Sequence, residues 1–551
     1  MKKQNVFLLI GLALLLSFGG VIGSFGNIVQ AAQTGNGQGS SDKAEIKNGM
    51  FSTNKEPMVE VNSGKLVGYV KDGTYTFLGI PYAQAKRFEL PEPVNPWNGN
   101  YYANRYRESC PIAPMTAVPG DDFINPHRYL PESETCQFIN IWTQSTKSDA
   151  KKPVMVWIHG GGHSNGSSIE QVSYDGANLS ESGDVVVVSL NHRLNVLGYL
   201  NLAAYGDEYK YSGNLGTADL VASLQWVKQN IAKFGGDPNN VTIFGQSGGG
   251  TKVATLMSVP AAKGLFHKAI IQSSGVAAPP DVSREVAAVT LQNLGLTANQ
   301  LDQLKTINYE QLLTAANKAI QQVNKARGVN YNWGPVVDGD YFPAWPLDGK
   351  FPEQSKNIPL MIGSVFGEQE SNGFAAANGL EFNKNEWTTE YTMQKLTQKF
   401  GTKTQALVDA FKKTYPNKKL ADLYFMNTGR SRMPEIPLNK ADQKGAPVYN
   451  YMLNYEFPVL GGLTAWHCAE IPLVFNNLSL VEPLSGGDPA AYKLQKMMSK
   501  AWVNFAYKGN PNHSDMPNWP AMTRKNGATM IFDAKSYVGY YHDRELLNAL
   551  K

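Results

Sequence analysis

In this 551-residue chain a run of β-favouring residues, Val241 to Phe244, leads directly into Gly245-Gln246-Ser247-Gly248-Gly249. A serine hydroxyl is a poor nucleophile unless it is exposed, aimed at a base and clear of neighbouring side chains. Residues 251–257 can continue as a helix, and strand, sharp turn, helix is the order that lifts a serine Oγ clear of a sheet. Glycine at 245, 248 and 249 admits a strained turn and lets backbones pass closely. The pentapeptide alone fits a plain glycine-rich turn equally well, so the weight must come from its partners.

Such an elbow is followed along the chain first by an acid and then by a histidine. Downstream of Ser247 stand four histidines: His267, His467, His513 and His542. His267 is too close to the elbow, His513 sits in the turn Asn510-Pro511-Asn512-His513, and His542 is near the terminus. His467 follows a strand by one loop, so it can hang at the edge of a sheet. Glu368 and Glu370 both lie just past a strand end, and one of them reads as a solvated loop residue. An acid there would fix the imidazole tautomer and stabilise the imidazolium. The residues alone leave the choice between the two open. His159-Gly160-Gly161-Gly162 follows a buried strand, and its bare backbone N–H groups can face a developing oxyanion.

These groups need a scaffold. Residues 137–142, 154–158 and 185–190 are short apolar runs rich in branched side chains, as in strands covered on both faces. Residues 219–234 form the clearest helix, with Leu220, Leu224, Val227 and Ile231 on one face and Gly235-Gly236-Asp237-Pro238 ending it. Strands are expected at 268–272, 359–363, 448–453 and 529–533, and helices at 283–294, 301–313 and 492–507. The alternation implies an α/β fold with a large, mostly parallel central sheet flanked by helices. Short strands at 59–61, 65–70 and 74–78 would form its antiparallel edge. Two polar helical insertions, 276–357 and 386–444, are expected over the carboxyl ends of the strands, shaping a gorge.

The hydrophobic fraction of 42% and charged fraction of 17% are those of a globular chain and exclude disorder. Residues 1–31 read as a secretory signal peptide: Lys2 and Lys3, an apolar run over 6–16, and small residues before a cleavage site after Ala31. Gly19, Gly20, Gly23, Ser24, Gly26 and Asn27 interrupt it short of the ~20 apolar residues that span a bilayer. Residues 32–57 read as a flexible lead-in and 58–551 as one domain. Loss of Lys2 and Lys3 lowers the formal charge of +4 by two. With no basic stripe, nucleic acid is excluded as a partner, and with no second long apolar run a stable membrane anchor is excluded too. Of three cysteines, one pair is expected in an oxidising compartment. Cys110 with Cys136 would close a loop of about 25 residues, worth roughly 3–4 kcal/mol. Cys468 would be left free. No Cys-x-x-Cys spacing supports a metal site.

The chain resembles the type-B carboxylesterase family, the cholinesterase-like esterases that include bacterial para-nitrobenzyl esterases. The likeness runs from about residue 61 to 533. It rests on Phe77-Leu78-Gly79-Ile80-Pro81-Tyr82-Ala83, Ser133-Glu134-Thr135-Cys136 with Asn140-Ile141-Trp142, and His159-Gly160-Gly161-Gly162. It continues in Asn191-His192-Arg193-Leu194 with Gly198, Phe234-Gly235-Gly236-Asp237-Pro238, the elbow, and Ala465-Trp466-His467. The resemblance implies an α/β-hydrolase fold, Ser247 as nucleophile and His467 as base. It implies Glu368 as the acid, since the family's strand–Gly–x4–Glu pattern starts at Gly363. Gly161, Gly162 and Gly248 would form the oxyanion hole, and Cys110–Cys136 the first disulfide.

The function so implied is a secreted serine carboxylic ester hydrolase that acts on small-molecule esters through an acyl-enzyme, with no cofactor and no metal. Its rivals are a lipase, an amide- or carbamate-cleaving hydrolase, and a non-catalytic binding protein on the same fold. The sequence departs from the family at Gln246 (usually Glu), Gly248 (usually Ala), Gln369 (usually Gly) and His163 (usually aromatic). Gln246 removes a negative charge beside the elbow, which weakens any preference for cationic substrates. Tyr331, Trp333, Phe342, Trp345 and Phe366 could line a pocket or belong to the core.

Overall fold

Alternate residues of the central strands feed two different cores. In the computed structural model, which describes residues 49–53, 56–114, 122, 124–346, 349–368 and 383–551, twelve strands form the main sheet. They are β1 (Met50–Phe51), β2 (Tyr69–Lys71), β3 (Thr74–Pro81), β4 (Phe138–Thr143), β5 (Lys152–Ile158) and β6 (Val186–Leu190). After these come β7 (Gly236–Gln246), β8 (Lys268–Gln272), β9 (Leu360–Val365), β10 (Val448–Leu453), β11 (Ala528–Phe532) and β12 (Tyr537–Tyr540). Their spatial order is β1-β2-β3-β4-β6-β5-β7-β8-β9-β10-β11-β12. From β6 to β11 every neighbouring pair is parallel, while the strands at both edges are antiparallel.

On β5, Val154, Val156 and Ile158 enter one core while Met155 and Trp157 enter the other, all fully buried. A sheet covered on both faces in this way needs no polar alternation, which is why its strands read as plain apolar runs. One face is covered by α1 (Leu215–Asn230) and α2 (Gly248–Leu256), through Leu220, Leu224, Val227, Val253 and Leu256. Ile231, in the short 3-10 turn that extends α1, joins the same core as expected. The other face is covered by the 20-residue helix Pro489–Lys508, through Leu494, Met498, Trp502 and Phe505.

A buried ion pair ties this core to the N-terminal part of the chain. Arg193 and Asp219 are 3% and 0% exposed, and the guanidinium meets both carboxylate oxygens at 2.7 and 2.9 Å. Asp219 also accepts from the Arg193 backbone N–H, and Arg193 Nη1 donates to the carbonyls of Lys86 and Glu89. Cys110 and Cys136 are joined, with Leu194 packed against them.

The insertions build two further cores. Helices α3 (Ser283–Leu294) and α4 (Tyr309–Arg327) enclose a core with Tyr331 and Trp333. Helices α5 (Thr389–Phe400) and α6 (Thr404–Thr414) pack on Phe366, just past β9, and on Met452. Phe342 is also buried in a core. Four of the aromatic residues noted in the sequence are therefore packing residues, and Trp345 lies half-buried against the first core.

Several expected boundaries move. The strand expected over 65–70 breaks at Gly68, where a Cβ would stand 2.4 Å from the Thr76 carbonyl oxygen. Its first half pairs with Met58–Val61 and Asn100–Tyr102 in a separate three-stranded sheet. The helix expected over 301–313 is instead a 3-10 turn over Ala298–Lys305 followed by α4. The Asn308 side chain starts α4 afresh by accepting from the Gln311 backbone N–H. β12 goes unforeseen because only Gly539 in it is buried. Residues 1–31 lie outside the described residues, as does Glu370, while Met50 and Phe51 of the expected lead-in pair with β2. Among the described residues no helix is long and apolar enough to cross a membrane.

Candidate active site

Ser247 follows β7 at the carboxyl end of the sheet, with φ 58° and ψ −123°. A non-glycine residue held there stores about 1–3 kcal/mol of strain. What holds it is close backbone packing. The Ser247 N–H donates to the Gln272 carbonyl of β8 at 2.8 Å, and its carbonyl accepts from Thr251 at 3.1 Å. A Cβ at Gly249 would lie 2.0 Å from the Ile158 carbonyl oxygen, so only glycine lets α2 start this close to β5. The 159–162 segment emerges from β5 and locks onto the elbow, for a Cβ at Gly248 would meet Gly162 Cα at 2.4 Å. Gly161 and Gly162 both have positive φ, 76° and 61°. Among the described residues, no backbone carbonyl accepts a hydrogen bond from the N–H of Gly161, Gly162 or Gly248.

The loops after β9 and β10 are stitched together by a parallel bridge between Gly367 and Trp466, in which the Gly367 N–H donates to the Ala465 carbonyl at 2.8 Å. The next residue on each side is the acid and the histidine. The side chains of Glu368 and His467 meet in a direct Nδ1–Oε2 hydrogen bond, with Glu368 7% and His467 31% exposed. Glu368 Oε1 accepts from the Val365 N–H at 3.4 Å. A buried carboxylate bonded to Nδ1 keeps the tautomer whose Nε2 can take a proton.

Gln246 lies beside this ring, its Nε2 3.3 Å from His467 Nε2 and 3.4 Å from Nδ1. The Cys468 thiol donates to Gln246 Oε1 at 3.3 Å, which turns the amide nitrogen toward the imidazole. Behind the pair sits Glu470, fully buried. One of its oxygens takes weak hydrogen bonds from Gln272 and Ser273, and the other has no partner among the described residues. Burial first, and then the charge of Glu368, push Glu470 up to about 7. Under the 159–162 loop, burial holds His159 and His192 well below the usual histidine range, and their rings stack at 5.0 Å. Burial takes His163 down to about 3, so this ring is neutral and packs edge-on to Tyr199.

Ser247, Glu368, His467 and the glycines of the 159–162 loop therefore all follow the carboxyl ends of β5, β7, β9 and β10, four parallel strands of the run β5-β7-β8-β9-β10. Reasoning from sequence missed Glu470 and Lys252. An acid three residues past His467, and a lone charge on an otherwise uncharged helix after the elbow, were the available signals. The contact between Gln246 and His467 spans 221 residues and had none.

The model of the Carboxylesterase family matches residues 55–543. Para-nitrobenzyl esterase of Bacillus subtilis (strain 168) is 33% identical over 489 residues, covering 87% of this chain and 95% of that protein. Fumonisin B1 esterase of Sphingopyxis macrogoltabida is 31% identical, covering 86% of each. Among solved structures, an esterase from anaerobic Clostridium hathewayi that can hydrolyze aliphatic aromatic polyesters superposes with a TM-score of 0.84. It is 42% identical, over 91% of this chain and 99% of its own. With the α/β-hydrolase sheet, the family match along nearly its whole folded length and these esterase relatives, the chain belongs to the type-B carboxylesterase family and is a carboxylic ester hydrolase.

Proposed function

We propose that hydrolysis proceeds through a Ser247-His467-Glu368 triad and an acyl-enzyme. Ser247 Oγ attacks the ester carbonyl while His467 Nε2 takes its proton, and Glu368 stabilises the imidazolium so formed. The N–H groups of Gly161, Gly162 and Gly248 hold the oxyanion. His467 returns the proton to the leaving alcohol, and water then attacks the acyl-enzyme by the same route. The observation that carries this reading is the Glu368–His467 hydrogen bond, set by the Gly367–Trp466 bridge at the sheet edge that also bears the Ser247 elbow.

The substrates are small-molecule esters, and the domain 58–551 does this work outside the cell after removal of residues 1–31. The Cys110–Cys136 disulfide supports an oxidising compartment. N-terminal sequencing of protein from the culture medium checks the cleavage after Ala31.

The decisive test is a chain-length series of para-nitrophenyl esters, hydrolysed by the mature protein beside Ser247→Ala. The variant is expected to lose roughly 10⁴–10⁶-fold in kcat. A folded variant that keeps the parent's rate would remove Ser247 from the mechanism.

A further inference from the structure

Helix α2 carries a single charged side chain, Lys252, five residues after Ser247 and only 1% exposed. It does not reach solvent. Its Nζ turns under the 159–162 loop and donates to the His159 carbonyl at 3.0 Å and to the Gly160 carbonyl at 3.4 Å. The Gly160 oxygen is held from a second side by His159 Nδ1 at 3.0 Å. Space around it is fully used, since a Cβ at Gly166 would meet His159 Nδ1 at 2.8 Å and the Gly160 oxygen at 3.0 Å.

The Gly160 carbonyl and the Gly161 N–H belong to one planar, trans peptide group. Whatever grips the oxygen on one side therefore aims the hydrogen to the other. A donor on the oxygen, the more so when it is protonated, also polarises the group and makes its N–H a stronger donor in turn. We propose that Lys252 is a positioning residue for the oxyanion hole, fixing the Gly160–Gly161 peptide plane from beneath and strengthening the Gly161 N–H as a donor. It touches no substrate. This inference rests on the reading of Gly161 given under Proposed function.

The surroundings argue against a role in stability. The ionisable groups facing Lys252 are Glu170, His159, His163 and His192, and the three histidines are held neutral by burial. Among the described residues no carboxylate lies within ion-pair distance of Lys252, and the half-buried Glu170 only partly opposes the effect of burial. Burial pushes Lys252 down to about 7. Holding a charge there costs stability at neutral pH, and an unbranched apolar side chain removes that cost while leaving the two carbonyls without this donor. The two effects oppose each other, so Lys252→Met should fold and melt close to the parent.

The test uses Lys252→Met and Lys252→Gln, with para-nitrophenyl butyrate as substrate and an aryl trifluoromethyl ketone as inhibitor, whose hemiketal on Ser247 carries the oxyanion. Lys252→Met is expected to lower kcat about 10–100-fold with KM nearly unchanged, as for loss of one oxyanion donor. The inhibition constant of the ketone should rise by the factor by which kcat/KM falls. Lys252→Gln, which keeps an amide donor, should fall between this variant and the parent. The proposal is overturned if both variants keep the parent's kcat and ketone affinity, or if the loss lies in KM, or if kcat falls while ketone affinity stays. Ser247→Ala, assayed alongside, separates the two readings. Should it retain activity, the triad reading fails. Should it be inactive while the lysine variants match the parent, only the role of Lys252 falls.

Discussion

Among the described residues, Glu368 is bonded to His467 and a second carboxyl group, Glu470, lies close by. Glu470 is packed behind the pair with one oxygen unpartnered among the described residues. Burial and the Glu368 charge raise it from 4.5 to about 7. Between those two values the folded protein holds a proton that the unfolded chain releases. Stability from this site therefore falls as pH rises through about 4.5 to 7, and stays lowered above it. Glu470→Gln removes that loss. Its melting temperature should exceed the parent's at pH 8 and the two should converge near pH 4.5, with a gain of at most about 3 kcal/mol. Thermal melts across pH 4.5 to 8 check this, and parallel curves would count against it. At this scale Ser247 and His467 were legible as candidates, because an elbow and a chain order constrain them. Glu368 and Glu370 carry the same chemistry two residues apart, and what distinguishes Glu368 in the structure is the Gly367–Trp466 backbone bridge, a contact across 99 residues.

The elements that carry the site are fitted backbone to backbone. The α2 start and the 159–162 loop touch at Gly248 and Gly162, with no room for a methyl group. Gly248→Ala should therefore push the loop from its place and lower kcat about 10–100-fold, within the range for disturbing oxyanion donors. Stopped-flow measurement of the acylation burst checks it, and an unchanged burst rate would show that the loop yields without consequence. The parallel strands were legible because burial on both faces leaves an unbroken apolar run. The edges were not. Whether residues 64–67 run on into β2 in the main sheet or pair in a separate one is decided by partners elsewhere in the chain, and a cap such as Asn308 resets a helix that apolar spacing alone would start earlier.

Across the whole molecule, the Arg193–Asp219 pair joins α1, the segment after β6 and the carbonyls of Lys86 and Glu89. Asp219→Ala would leave a buried guanidinium and a backbone N–H without their acceptor, at about 3–5 kcal/mol. Urea unfolding should show the loss as a lower midpoint, and an unchanged midpoint would mean that water or a shift of Arg193 replaces the carboxylate. The bridge between Gly367 and Trp466 has a different kind of consequence. Helices α5 and α6 lie between Glu368 and His467 in sequence, and so does β10. The chain therefore leaves the sheet after β9, returns to it as β10 and is then pinned back to the end of β9 at this bridge. The Glu368 and His467 side chains are joined beside that bridge. Helices α5 and α6 are thus mounted in a socket, and changes within them leave the Glu368–His467 pair in register so long as β9, β10 and the bridge between them hold.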